Sequence, residues 1–125
     1  MVDSTNPLAK DGNSLFLTVG FDGSGAEHIA KLAKGAKVVK CFQQTGAENM
    51  ANPQFENGKA AIFVCGDDAD AKETVRRLAE EIGFDAIDAG NLKIACLLEP
   101  LANLWIHLAL TTELERHFAF SILRR

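Results

Sequence analysis

Cysteine is scarce: Cys41, Cys65 and Cys96 are odd in number, far apart and form no C-x-x-C pair. That spacing excludes a disulfide framework and argues against a zinc site, so a reducing compartment, the cytoplasm, is expected. Blocks of Lys and Arg are missing too. With 13 basic residues against 17 acidic ones and a formal charge of −4, no nucleic-acid partner is expected. The opening "MVDSTNPLAKDGN" lacks an apolar central region, so no signal peptide is expected. Only "LKIACLLEPLANLWIHLAL" (92–110) raises the question of a membrane. Lys93, Glu99, Asn103 and His107 would be costly there in lipid, and a buried helix of a soluble fold is expected instead. No repeat or low-complexity linker divides the 125 residues, and a single domain spanning 1–125 is expected.

What is present alternates. "SLFLTVG" (14–20), "KVVKCF" (37–42), "AAIFVCG" (60–66) and "FDAIDAG" (84–90) read as strands, the first three as nearly continuous apolar runs covered on both faces. Cys41 and Cys65 fall inside such runs, where a thiol serves as a small buried hydrophobe. Helical patterns lie between: 26–34 with Gly35 as its cap, 69–82 stopped by Gly83, and a longer one over roughly 92–110 with Pro100 inside it, expected to kink near Cys96. The tail "FAFSIL" (118–123) reads as a short strand. The alternation predicts an α/β fold with βαβ units and a mainly parallel sheet.

Three glycines in "GFDGSGAEHIA" (20–30) resemble a phosphate-cradling turn, and the resemblance fails two tests. A dinucleotide loop reads G-x-G-x-x-G, whereas the order here is G-x-x-G-x-G, and the next strand does not end in the acid that would take a ribose hydroxyl. "SGAE" fits a capping box better, with Ser24 accepting from the Glu27 N–H and Glu27 reaching back to the Ser24 N–H.

Asp67, Asp68 and Asp70 open the 69–82 helix, where capping and the helix dipole explain them; the spacing of a calcium loop is absent, and no metal site is expected. Glu99, Asn103, His107 and Thr111 recur every four residues on one helix face, with Leu97, Leu101, Leu104 and Leu108 on another. Such a polar stripe is either the solvent side or a hydrogen-bonded interhelix contact. His28, His107 and His117 have no partner acid or nucleophile that the sequence places beside them. The loops around "DSTNPL" (3–8) and "CFQQTGAENMANP" (41–53) hold more interest, because the second leaves the carboxyl end of a strand, where parallel sheets gather ligands. Its small Thr45, Gly46 and Ala47 would let a flat ring approach the backbone.

"DSTNPL", "SGAEHIAKL", "AKVVKCFQQTGAENM", "FVCGDD" and "GFDAIDAGNLKIACLLEPL", in that order, resemble the NADPH-dependent deazaflavin-coenzyme (F420) reductases, whose relatives include the reductase domains of membrane metalloreductases. The resemblance covers nearly the whole chain and matches the second half of such an enzyme. It implies a partial Rossmann-type three-layer fold with a long C-terminal helix, lacking the N-terminal glycine-loop βαβ unit, which would lie upstream of Met1. The implied activity is hydride transfer between NADP(H) and a deazaflavin or flavin, by a chain that is truncated and inactive or needs a partner chain. A non-catalytic, homo-oligomeric remnant is the alternative. The resemblance places the nicotinamide end of the cofactor at Asn6, Pro7, Gln43, Gln44, Thr45, Gly46 and Ala47, with a backbone N–H near Ala47 on the carboxamide. Family members commonly have Asn or His where this chain has Gln43. It names no catalytic or phosphate-binding residue here. An open sheet edge and exposed apolar surface would favour a homo-oligomer or a partner chain that completes the sheet.

Overall fold

The computed structural model describes residues 1–20 and 22–125; Phe21, inside the Gly20–Gly25 loop, lies outside them. In chain order the elements are β1 (Val2–Asp3), β2 (Leu8–Asp11), β3 (Ser14–Leu17), α1 (Gly25–Leu32), β4 (Val39–Lys40), α2 (Ala47–Ala51), β5 (Gln54–Phe55), β6 (Gly58–Lys59), β7 (Ala61–Gly66), α3 (Ala69–Ile82), β8 (Asp85–Gly90) and α4 (Ala95–Thr111). The central sheet has the order β1-β4-β7-β8. β1 pairs parallel with β4 and β7 parallel with β8, while β4 and β7 run antiparallel. The sheet is mainly parallel, with a reversal at its centre.

Two apolar clusters make the fold three-layered. Ile62 and Val64 of β7 face Val75 and Ala79 of α3. Cys65 and Val38 meet Ala26 of α1 and Ala95 and Leu98 of α4 across the opposite face. Burying each such aliphatic side chain contributes roughly 1.5–3 kcal/mol. Cys65 of β7 and Cys41, one residue past β4, are fully buried, and burial pushes each thiol up to about 12, so they pack rather than react.

Several expectations need correction. Residues 14–20 do not enter the central sheet. Their β3 pairs with β2 in a separate antiparallel hairpin, turned by Gly12-Asn13 with Gly12 at φ +57°, a two-residue loop whose first position favours glycine. Phe16 points to solvent while Leu15 and Leu17 are half-buried, so the run is covered on one face only. A second hairpin, β5–β6, turns at Glu56-Asn57, with Gly58 opening β6 at φ +146°. Helix α1 is capped at its end by Ala33, and Gly35 takes φ +81° two residues beyond. The tail, expected as a strand, forms no ladder. Phe120 accepts one bond from the Ala61 N–H at 2.8 Å, and Arg124 grips Asp85 at 2.6 and 3.0 Å. Helix α4 continues through Pro100. By length and composition Leu92–Thr111 could cross a membrane (mean hydropathy 1.5), and 28% of that stretch is buried in this fold.

Candidate functional site

Because β1 and β4 are parallel, their carboxyl ends open at one rim, where α/β sheets collect ligands. Two of the expected loops meet there: Asn6 Nδ2 donates to the Gln43 carbonyl at 3.0 Å. The Gln44 side chain is committed to structure. Its Nε2 donates to the Phe63 carbonyl at 2.7 Å and its Oε1 accepts from the Phe63 N–H at 3.0 Å, so a buried amide stands in for a neighbouring strand. Thr45 Oγ1 accepts from Asn49 Nδ2 at 2.6 Å, and Asn49 also donates to the Phe118 carbonyl at 2.8 Å. Gly46 lies against Trp105, where a Cβ would come within 2.6 Å of the ring; this is a close approach that only glycine permits. Trp105 in turn stacks on Phe118 at 5.2 Å between ring centres and donates to its carbonyl at 3.1 Å. Pro7 accepts from the Thr18 N–H at 2.7 Å, and Ala47 is the exposed first residue of α2.

Two buried polar atoms have no partner among the described residues, Asn6 Oδ1 and Gln43 Nε2. Each would cost about 1–3 kcal/mol if left dry and unpaired. One is an acceptor and the other a donor, on residues already bonded to each other. Between Cys41 and Gln43 the backbone of Phe42 is held at φ +67°, unusual for a bulky residue and common where a loop is fixed for function.

Beneath the two loops lies an ion cluster that periodicity alone did not single out. Lys40 is fully buried, and its Nζ reaches Asp3 Oδ2 and Glu99 Oε1, each at 2.9 Å, and the Thr5 carbonyl. Asp3 also accepts from the Thr5 N–H at 2.9 Å and hydroxyl at 2.7 Å. Burial pushes the Asp3 carboxyl up, but Lys40 and Thr5 together outweigh it and hold the group below its ordinary 3.8. The signal in the sequence was a charge inside an apolar run: Lys40 in "KVVKCF" and Glu99 among leucines.

Glu99 also settles the glycine loop. Its two oxygens accept from the Gly25 N–H at 3.0 Å and the Ala26 N–H at 3.1 Å. The positive end of α1 therefore holds a carboxylate from within the protein. Ser24 caps the helix as expected, accepting from the Glu27 N–H at 3.1 Å; the Glu27 carboxylate, however, takes the Ser24 hydroxyl at 2.9 Å rather than its N–H. A Cβ on Gly25 would lie 3.2 Å from Glu99 Oε1 and 3.4 Å from the Pro7 ring, so this glycine makes room for α4 and the site loop. Of the polar stripe on α4, Glu99 is the interhelix contact and His107 and Thr111 are exposed.

Asp68 caps α3, accepting from the Ala71 N–H at 2.9 Å, and Asp67 accepts from the Leu92 N–H at 2.9 Å. Among the described residues no three His, Cys, Asp or Glu side chains come together as a metal site. His28, His107 and His117 are all exposed.

No protein-family model matches the chain. It is 40% identical over 91 residues to the F420-dependent NADP reductase of Methanocaldococcus jannaschii, a match that covers 70% of this chain and 39% of that protein. It is 32% identical over 102 residues to the metalloreductase STEAP3 of Rattus norvegicus, covering 81% of this chain and 19% of that one. A crystal structure from Arthrobacter sp. FB24, described as an F420-dependent NADP reductase, superposes with a TM-score of 0.86 at 36% identity, over 98% of this chain and 56% of its own. The chain thus spans less than half the length of these curated relatives and just over half of the solved one.

Proposed function

We propose that this chain, a relative of the F420-dependent NADP reductases that spans part of their length, holds the nicotinamide end of NADP(H) at the rim of β1 and β4. The observation that carries the reading is the unpartnered pair, Asn6 Oδ1 and Gln43 Nε2. A primary carboxamide offers both N–H donors and a carbonyl acceptor, and so answers both atoms. The Asn6 amide is oriented by its bond to the Gln43 carbonyl, since turning it over would set two oxygens against each other. Gln43 Oε1 faces Gln44 Nε2 at 3.4 Å, which leaves the buried Nε2 as the donor without a partner. Pro7 follows Asn6 and packs near Gly25, while Gln44, Thr45 and Gly46 fix the loop. The Ala47 N–H, in the first turn of α2, has no acceptor within its own helix and adds a backbone donor.

When bound, NADP(H) supplies the hydride that passes to a deazaflavin or flavin. The chain's own residues bind the ring and orient it. The pyrophosphate finds no place at the N-terminus of α1, which already faces Glu99. In this reading a further segment or a partner chain carries the glycine loop, and the protein works beside NADP(H) in the cytoplasm. The test is titration with reduced nicotinamide mononucleotide, followed by the side-chain amide NMR signals of Asn6 and Gln43. Both signals should move, and Gln43→Ala should weaken binding about tenfold, the size of one lost hydrogen bond to a buried partner. Saturable binding that leaves both signals in place would overturn the assignment, as would no binding at all.

A second reading, a self-associating protein without catalysis, is favoured by the outer face of α4. Leu97, Leu101, Leu104 and Leu108 follow seam spacing for paired helices, and Leu97 and Leu104 are 57% and 46% exposed. A dimer or larger assembly is expected through this stripe, with β1 left at the sheet edge for a partner chain's strand. Light scattering that finds a monomer at every concentration would remove both kinds of association.

A further inference from the structure

We infer that Lys40 is a positioning residue: its buried ammonium fixes the two loops that present Asn6 and Gln43. An ammonium has three protons, and here three acceptors take them: Asp3, Glu99 and the Thr5 carbonyl. Each acceptor belongs to a different part of the fold. Asp3 ends β1, Thr5 immediately precedes Asn6, and Glu99 belongs to α4 while holding the first two N–H groups of α1. Lys40 itself stands three residues before Gln43.

One charge therefore joins β1, β4, α1 and α4 directly behind the rim. Stability alone does not call for it, because well-packed apolar side chains of similar volume commonly serve a core as well as a buried ion cluster. A charged cluster does something that apolar packing does not: it fixes direction, through hydrogen bonds of set length and angle. The strained Phe42 backbone agrees with this, since a bulky residue stays at φ +67° only where its surroundings over-determine it. Fixed from behind, the Asn6 and Gln43 amides keep their free acceptor and donor facing one target.

The inference rests on the nicotinamide reading for its purpose, and its test separates the two. Lys40→Met removes the ammonium while keeping the stem. Asp3→Asn keeps the oxygen that Thr5 uses and removes the charge facing Lys40, so it remains informative if Lys40→Met does not fold. Val75→Ala, in α3 and away from the cluster, is the control for general loss of stability. All are compared with the wild-type chain by the Asn6 and Gln43 side-chain amide signals and by affinity for reduced nicotinamide mononucleotide. In the cluster variants the Asn6 amide should lose its slow exchange and distinct shift, and affinity should fall about tenfold or more. Val75→Ala should melt earlier with both signals unchanged. Unchanged signals in Asp3→Asn, or equal changes in Val75→Ala, would overturn the positioning role. Disordered Asn6 and Gln43 signals in the cluster variants, with no mononucleotide binding by the wild type, would support the positioning role and overturn the nicotinamide reading.

Discussion

Helices α1 and α3 begin alike in sequence and differently in space. Each follows a glycine-bearing turn, and each has a short polar residue accepting from the third N–H: Ser24 from Glu27 and Asp68 from Ala71. At α3 the cap is local and wet. Asp68 supplies both the cap and the negative charge, and its ion-pair partner Lys37 is largely exposed, at 2.9 Å. At α1 the charge comes from 73 residues away, with Glu99 buried at 1% exposure and tied on to Lys40. The same dipole is answered by a solvated side chain in one case and by a core cluster in the other. Two similar helix starts thus have different roles, one a surface cap and the other a joint between layers.

The largest break in this comparison should come from Glu99→Ala. It leaves Lys40 short of a partner and the part-buried Gly25 and buried Ala26 N–H groups unanswered, and should destabilise by about 3–5 kcal/mol, read as a fall in the urea midpoint. Asp68→Ala at the wet cap should lose only about 1 kcal/mol. Equal losses at the two sites would erase the distinction.

Acid and salt sharpen the contrast further. Lys37 holds the Asp68 carboxyl below its ordinary 3.8, and Asp3 is held below the same value despite its burial. A depressed carboxylate stabilises the fold above its unfolded value, and that stability is lost as pH falls through the lower folded value. Urea midpoints should therefore drop below about pH 4, less steeply in Asp3→Asn and in Asp68→Asn. At about 1 M salt the Asp68 part should shrink, because exposed pairs are screened, while the Asp3 part persists. A smaller effect is expected on the outer face of α4. Leu104→Ser should change stability by only about 0.5 kcal/mol while weakening any self-association, measured by sedimentation.

The legibility of the sequence follows the same division. Helix α3 was readable from end to end, because Asp68 and Gly83 carry its start and stop locally. The Ser24 cap was readable for the same reason, as were β7 and β8 as strands. The pairing of β4 with β7 was not, since an apolar run does not state the direction of its neighbour. The hairpin at 8–17 was obscured because Leu15, Phe16 and Leu17 look like a core strand, although Gly12-Asn13 marked the turn. Four-residue spacing grouped Glu99 with Asn103 and His107, but periodicity names a face and not what covers it. On α4 the acid is inside and Leu97 outside. Resemblance brought Asn6 and Gln43 to one place, while the Lys40 cluster beneath them joins residues too distant for any local pattern.

The α1 terminus is filled from within, and the proposal that stands on it is recognition of the nicotinamide end of the cofactor alone. Parallel titrations with NADPH and reduced nicotinamide mononucleotide test it most directly. Affinities within a few-fold of each other, with shifts centred on Asn6 and Gln43, are the predicted result. NADPH binding about a hundredfold tighter than the mononucleotide, with the Gly25 and Ala26 amides moving on saturation, would contradict it.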